Sequence, residues 1–297
     1  MFSFQLTLFV LIITGFLANK TKTLSSEGKT SLINLLMNFM IPASIFSSFT
    51  GDIDKSVFSK SFTVLLVSLV VQVLIYIFGR FSYGKLEDEK RKVMRYSIIT
   101  SNYVFIGLPV ANVMYGAEGV VLASISQIVY RVFVWTVGLS VFTGKGEKNN
   151  AFKNLFTDVN VISVFLGIGA MLINLKLPGF LNTGLTLLGN CMTPVCMIVI
   201  GYMLGDVHPK SLYAPVFFGY SFIRLVLIPA VVYFGLMPFK LEAILVGITV
   251  IQAGMPAPAT SVILAERYGA DSSFASKLVL SSTLLSIITI PIMCSFL

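Results

Sequence analysis

Charge is scarce in this chain of 297 residues, since Asp, Glu, Lys and Arg together make up only 11% of it. A soluble domain carries about 25% charged residues. Here 56% of the residues are hydrophobic and the mean hydropathy is +0.90. The composition therefore excludes an ordinary soluble protein and predicts an all-α membrane protein that crosses the bilayer several times.

Metal-binding and redox side chains are also few, with a single histidine and three cysteines. His208 stands in a polar loop, whereas Cys191, Cys196 and Cys294 lie in apolar spans, where thiols behave as small hydrophobes. We expect no metal site and no cofactor. An intramembrane enzyme would need a buried nucleophile with its base, paired aspartates or a zinc motif. The sequence has none of these and argues against an enzyme.

Acidic residues are missing from the middle of every apolar span, because each Asp and Glu lies in a loop or at a span end. A proton relay of the ion-pump type would need a carboxylate or histidine at mid-membrane depth. Any coupling would therefore use the ionisation of the substrate itself, or a cation held by neutral oxygens.

Ten apolar spans are expected, most of them long enough to cross roughly 30 Å of hydrocarbon. The first has no basic region before it and no clear cleavage site, so we expect a retained helix rather than a signal peptide. The spans are 2–18, 30–50, 57–79, 93–115, 118–143, 159–175, 183–205, 211–236, 241–267 and 273–296.

The net charge is +8, but the basic residues lie in short loops between the apolar spans. This distribution is typical of a membrane protein and argues against nucleic-acid binding. With the N-terminus outside, inner loops carry 15 of the 21 Lys and Arg residues, outer loops carry four, and two lie inside spans. This bias predicts a multi-pass protein of the cell membrane with both termini outside. Its expected partners are membrane lipid, a small solute and a second copy in a homodimer, and not nucleic acid.

An internal repeat divides the chain. Leu35–Pro42 and Leu187–Pro194 share the pattern Leu-Leu-x-Asn-x-Met-x-Pro, 152 positions apart, and Tyr115–Glu118 matches Tyr268–Asp271 at a similar offset. The pattern predicts two five-helix repeats, 1–143 and 159–297, joined by a cytoplasmic linker, 144–158. An odd number of spans in each repeat makes the second one inverted.

Two helices are predicted to be broken. Pro256 and Pro258 cannot both continue a helix, and Gly254 adds freedom beside them. The corresponding break in the first repeat is expected at Gly107 and Pro109. Broken helices at matching places predict the binding site of a secondary transporter, where half-helix N-termini attract an anion. Single prolines elsewhere (Pro42, Pro194, Pro229 and Pro291) are expected to be simple kinks.

Four polar side chains are candidates for substrate contact on position alone. Asn102 precedes the first predicted break, Gln252 precedes the second, and Arg131 and Arg224 lie within spans. Amides can bind a carboxylate or a cation, and arginines at this depth suit an anion. The alternative is that these side chains only satisfy backbone groups freed by the breaks.

The chain resembles the auxin efflux carrier family in its short bacterial form. The resemblance rests on Asn102–Pro109, Met255–Ala259, Leu264–Asp271 and Ser282–Pro291. It implies ten helices in two inverted five-helix repeats, with broken helices 4 and 9 crossing, and organic anions such as malate or malonate as substrates. It also implies that Asn102 contacts the substrate carboxylate, and Gln127 is similar to a family glutamine in the fifth helix.

The expected function is alternating-access transport of a small carboxylate, bound where helices 4 and 9 cross. One alternative is a sodium-coupled symporter of the same architecture. Another, from a different class, is a membrane receptor or scaffold that moves no solute.

Overall fold

The computed structural model describes residues 2–50, 56–143, 156–173, 175–205 and 214–297. These residues form helices and turns, and no strand occurs among them. Most of the predicted linker, 144–155, and His208 lie outside the described residues. The helices are α1 Phe2–Lys20, α2 Ser26–Leu35, α3 Ile41–Thr50, α4 Ser56–Phe81, α5 Asp88–Ile99, α6 Leu108–Phe133, α7 Leu139–Thr143, α8 Val159–Leu172, α9 Gly179–Asn190, α10 Met192–Gly205, α11 Pro215–Phe222, α12 Ile228–Leu236, α13 Ala243–Ala253, α14 Thr260–Arg267 and α15 Ser272–Ser295.

Six helical stretches within this part of the chain are long and apolar enough to cross a membrane. One of them, Asp88–Phe142, is 55 residues long and contains two of the predicted spans. Three further apolar helices are shorter. The six are Ser26–Thr50, Ser59–Phe81, Asp88–Phe142, Gly179–Gly205, Pro215–Phe239 and Ser272–Ser295, and the shorter three are Phe9–Lys20, Val159–Leu172 and Ala243–Ala253.

Wide helical turns accommodate three of the prolines. Proline lacks an N–H, and its ring clashes with the carbonyl four residues earlier. A π-turn, with its i→i+5 bonding, relieves this clash without ending the helix. The three π-turns that precede a proline are Leu36–Met40 before Pro42, Tyr103–Gly107 before Pro109, and Ile223–Leu227 before Pro229. A fourth π-turn, Val134–Gly138, has no proline after it.

Two glycines with left-handed backbone mark sharp turns at matching places in the two halves of the sequence. Gly116 has φ 59°, and it interrupts α6 with non-helical dihedrals, so the chain turns within the 55-residue stretch. Gly269 has φ 66° and lies between α14 and α15. Residues with a Cβ rarely adopt this conformation, which explains glycine at both positions.

Packing places α13 between two hydrophobic cores. Ile248 and Ile251 belong to a core shared with α3, α6 and α10, while Val250 and Ala253 belong to a core shared with α5, α11 and α15. The second proline-rich segment therefore starts where the two cores meet. The helices α1 and α10 pack with their backbones in direct contact, since a Cβ added at Gly201 would lie 1.9 Å from a carbonyl oxygen of α1. Of the three cysteines, Cys196 and Cys294 are buried, and Cys191 is exposed.

Candidate functional site

Two short non-helical segments interrupt the apolar helices. The second, Gly254–Ala259, lies where the paired prolines predicted it. The first lies at Thr100–Asn102, so the prediction of a break at Gly107–Pro109 is wrong. Gly107 ends a π-turn that continues into α6, and this wide turn accommodates Pro109 without ending the helix.

The two segments are in direct contact. The backbone N–H of Asn102 donates to the carbonyl of Pro256 at 2.8 Å, and the Ser101 hydroxyl lies 3.4 Å from the carbonyl of Gln252. Gly107 permits this approach, because a Cβ there would lie 3.1 Å from the Met255 side chain and would clash with the ring of Tyr103. Residues about 150 positions apart thus meet at one crossing point.

The last four carbonyls of α5 accept hydrogen bonds from three side chains and one backbone N–H. The last four carbonyls of a helix have no partner within it, and lipid cannot supply one. Here each of the four accepts a bond from a residue outside the helix. The pairs are Thr100 N to Tyr96 O at 2.8 Å, Tyr220 Oη to Ser97 O at 2.7 Å, Arg224 Nη1 to Ile98 O at 2.9 Å, and Gln72 Nε2 to Ile99 O at 2.7 Å.

The first segment is held on its other side by a tyrosine of α6. Tyr130 Oη accepts a hydrogen bond from the Ser101 N–H at 2.8 Å and donates one to the Ser101 carbonyl. A second tyrosine, Tyr103, donates to the Ala123 carbonyl at 3.2 Å and pairs with the Ser126 hydroxyl at 2.9 Å. The backbone groups of Ser101 and the N–H of Asn102 are therefore satisfied by protein, as a break inside lipid requires.

The second segment is satisfied in the same way. Arg224 Nε donates to the Met255 carbonyl at 3.0 Å, and the Ala257 N–H donates to Ser282 Oγ at 3.2 Å. The Ser261 hydroxyl donates to the Pro258 carbonyl at 2.8 Å. These side chains support the unusual backbone.

Three amide side chains near the crossing differ from this group because they do not support the backbone. Gln127 is 1% exposed and Gln252 is 6% exposed, and within the described part of the chain neither the nitrogen nor the oxygen of either amide has a hydrogen-bond partner. Asn102 is half-buried, does not cap the helix that starts at Tyr103, and forms no side-chain hydrogen bond with the described residues. Buried polar groups are normally paired, so such groups need an explanation.

Gln127 belongs to the same region as the first segment by its place on α6. It lies three residues before Tyr130, whose hydroxyl holds Ser101. Residues at this spacing share one face of a helix. Gln252 is attached to the crossing directly, because its own carbonyl accepts the Ser101 hydroxyl.

Both predicted arginines have partners inside the protein. Arg224 is 2% exposed and bonds to two carbonyls, as the backbone-satisfying alternative anticipated. Arg131 forms an ion pair with Asp158, with 3.0 Å between Nη1 and Oδ2. A carboxylate from the end of the linker thus neutralises an arginine that the sequence places inside a span. Its Nε is buried without a partner, so Arg131 retains one unused donor. Substrate contact by either arginine stays a prediction.

A cavity of about 410 Å³ lies elsewhere, between α12, α13 and α15. Its lining is almost wholly apolar and includes none of the three unpaired amides. Among the described residues, no three His, Cys, Asp or Glu side chains form a group that could hold a metal ion. The chemistry available at the crossing is that of amides, hydroxyls, backbone groups and the guanidinium of Arg224.

Sequence reasoning missed Gln72, Tyr130 and Asp158. Gln72 and Tyr130 stand inside apolar spans, and a polar side chain at that depth is itself a signal. Asp158 was assigned to the end of a loop, and its contact with Arg131 is visible only in the fold. Asp158 also caps α8 by accepting hydrogen bonds from the N–H groups of Asn160 and Val161.

Comparison with known proteins finds similarity along the whole chain. A family profile described as membrane transport protein matches residues 5–158 and 150–294. An uncharacterized transporter of Methanocaldococcus jannaschii is 23% identical over 296 residues, which cover 96% of this chain and 95% of the relative. The uncharacterized transporter YfdV of Escherichia coli is 23% identical over 300 residues, covering 97% and 94%. An uncharacterized transporter of Methanothermobacter thermautotrophicus is 23% identical over 294 residues, covering 97% and 95%.

Proposed function

This chain belongs to the membrane transport protein family, also known as the auxin efflux carrier family, and we propose a function within it. We propose that the protein is a secondary transporter of a small carboxylate. The substrate binds where Thr100–Asn102 crosses Gly254–Ala259, and it moves by alternating access. The observation that carries this proposal is a set of amides that do not support the backbone: Asn102 and Gln252 at the crossing, and Gln127 three residues before Tyr130 on α6.

The proposed architecture has ten spans in two inverted repeats, 1–143 and 159–297, joined by the linker 144–158. The helices support this count. The stretch Asp88–Phe142 turns at Gly116 and provides two spans, so the six long stretches give seven. The three shorter apolar helices supply the rest, with Ala243–Ala253 continued beyond its break by α14. Both termini then lie outside the cell membrane. A homodimer stays a prediction.

An anion is the ligand that the crossing suits best. The helix that starts at Tyr103 has no side-chain cap, so its first N–H groups and their partial positive charge point towards the crossing. Each amide adds two N–H donors. A carboxylate leaving water needs several donors to replace its hydration, and helix N-termini bind anions without any fixed charge.

The position of the crossing supports the proposal of alternating access. Both interruptions divide apolar helices, so a ligand there lies between the two repeats and can be reached from either side as one repeat moves against the other. A sodium-coupled symporter is the second candidate, because the interrupted backbones bring neutral carbonyls together, and such carbonyls hold sodium in other carriers with broken helices.

The test compares an acid with its amide. Purified protein is titrated with malonate and with malonamide, at a pH where the acid is fully ionised, and binding is followed by thermal stabilisation. The diamide leaves donors without an acceptor of matching charge, at roughly 1–3 kcal/mol for each. We expect it to bind about tenfold to a hundredfold more weakly. The same comparison is made for the other acids of a panel that includes malate.

Equal affinities for acid and amide, or a preference for cations, would contradict the carboxylate assignment. Solute accumulation in vesicles that contain only this protein distinguishes a carrier from a receptor or scaffold. A protein that binds the acid but never concentrates or exchanges it across the vesicle membrane would not be a transporter.

A further inference from the structure

Arg224 joins the two interrupted helices through one buried guanidinium. Its Nη1 donates to the Ile98 carbonyl at the end of α5, at 2.9 Å, and its Nε donates to the Met255 carbonyl just beyond the end of α13, at 3.0 Å. The side chain is 2% exposed. The ion pairs among the described residues do not include it. A full positive charge is thus buried among neutral carbonyls.

The electrostatics of this place explain how the charge is tolerated. The C-terminus of a helix carries about half a negative charge from its unpaired carbonyls. Two helices, α5 and α13, end at the crossing, so their combined charge is about one negative unit. The guanidinium of Arg224 stays protonated in proteins and balances it. Removing that cation would leave two helix ends facing each other in an apolar environment.

Carriers with broken helices place unwound carbonyls and half-helix C-termini around a coupling cation. In this chain the carbonyls of that type at the crossing already accept hydrogen bonds from Arg224. We propose that Arg224 is a fixed cation that takes the place of a coupling ion, so that this protein has no sodium site at the crossing. The inference rests on the proposed function, and it removes the sodium-coupled alternative.

The first half of the chain offers a neutral counterpart. Gln72 precedes Arg224 by 152 positions, the offset that also separates Asn38 from Asn190. Gln72 donates to the Ile99 carbonyl at 2.7 Å, next to the carbonyl that Arg224 contacts. Two corresponding positions therefore bind neighbouring carbonyls of α5, but only one of them brings charge. Gln72 reaches one carbonyl, whereas Arg224 joins carbonyls of two different segments and adds a positive charge to them.

The experiment measures thermal unfolding of the purified full chain and needs no substrate, so its outcome is independent of the carboxylate assignment. Wild type, Arg224→Ala, Arg224→Gln and Arg224→Lys are compared in choline chloride and in sodium chloride of equal ionic strength. Millimolar guanidinium chloride, far below denaturing concentrations, is then added. The control is Arg80→Ala, because Arg80 is exposed and, within the described residues, its side chain bonds to Tyr76 on its own helix.

Wild type is expected to melt at the same temperature in sodium and in choline. Arg224→Ala should melt roughly 5–15 °C lower, since loss of a buried charge partner costs several kcal/mol. Guanidinium should restore part of this loss, and should leave wild type and Arg80→Ala unchanged. Arg224→Lys should be more stable than Arg224→Gln, because it keeps the charge.

Three results would overturn the proposal. Stabilisation of wild type by sodium over choline would show a sodium site beside Arg224. A folded Arg224→Ala protein that guanidinium fails to stabilise would show that no cation is needed there. If the alanine variant does not fold, the melting temperatures of Arg224→Lys and Arg224→Gln are compared instead. Equal melting temperatures would show that Arg224 acts as a hydrogen-bond donor and that its charge is not needed.

Discussion

Replacing Asn102 by alanine tests the proposed substrate site with little disturbance of the fold. The contact between the two interrupted helices at this residue is made by the backbone N–H, which donates to the Pro256 carbonyl at 2.8 Å. Alanine keeps that N–H. The side chain is half-buried and bonds to none of the described residues, so its loss leaves no protein group unpaired. Only a ligand contact is removed.

The expected loss can be estimated from the hydrogen bond alone. A hydrogen bond to a charged group contributes roughly 1.5–3 kcal/mol. Asn102→Ala should therefore bind malonate, or another acid of the panel, about tenfold to a hundredfold more weakly than wild type. Uptake into proteoliposomes at low substrate concentration should fall in proportion. The melting temperature without ligand should change by no more than about 4 °C, which corresponds to roughly 1 kcal/mol.

Ser101→Ala is the matched control, because its hydroxyl lies 3.4 Å from the Gln252 carbonyl and contacts backbone rather than the proposed ligand. Its affinity for the acid should stay within a few fold of that of wild type. Near-normal affinity and uptake in Asn102→Ala would remove this residue from the site. A large fall in melting temperature would instead mean that the amide supports the fold.

Three further changes test the helix breaks, the packing and a surface ion cluster. Replacing Pro256 and Pro258 together with alanine should let α13 run on towards α14 and abolish uptake, so intact uptake would show that the break is dispensable. Gly201→Ala should lower the melting temperature by about 2–10 °C through overpacking against α1, whereas Gly169→Ala, which has open space, should not. Lys60→Met removes ion pairs of 2.8 and 3.0 Å to two partly exposed carboxylates, and calorimetry should show a change below about 1 kcal/mol.

The second interruption could be predicted from the sequence and the first could not. Pro256 and Pro258 break a helix through local geometry alone. Thr100–Asn102 contains neither proline nor glycine. That segment is held open by partners far away in the chain, among them Tyr130 and Pro256. Local sequence patterns cannot reveal such long-range contacts. The break was therefore predicted at the nearest proline, Pro109.

The same distinction applies to the polar residues. The sequence identified Asn102 and Gln252 by their nearness to the predicted breaks and Arg224 by its place inside an apolar span. Position alone does not separate backbone support from ligand contact. Hydrogen bonds make that separation, since Arg224 is bonded to two carbonyls while Gln252 keeps both amide atoms unpaired. Arg131 looked like a lone buried charge until the fold brought Asp158 to 3.0 Å from it.

A site built from amides and a helix N-terminus has a consequence for transport. A fixed cation in direct contact with the substrate would hold a carboxylate tightly in a dry cavity, because ion pairs strengthen as the dielectric constant falls. A carrier must also release its substrate on the other side. Neutral donors contribute less binding free energy per contact than charged ones. They still select an anion, because a neutral analogue would leave several of these donors without a matching acceptor. The positive charge of Arg224 is balanced by two helix ends, so it organises the crossing while the ligand is held by groups that can let it go.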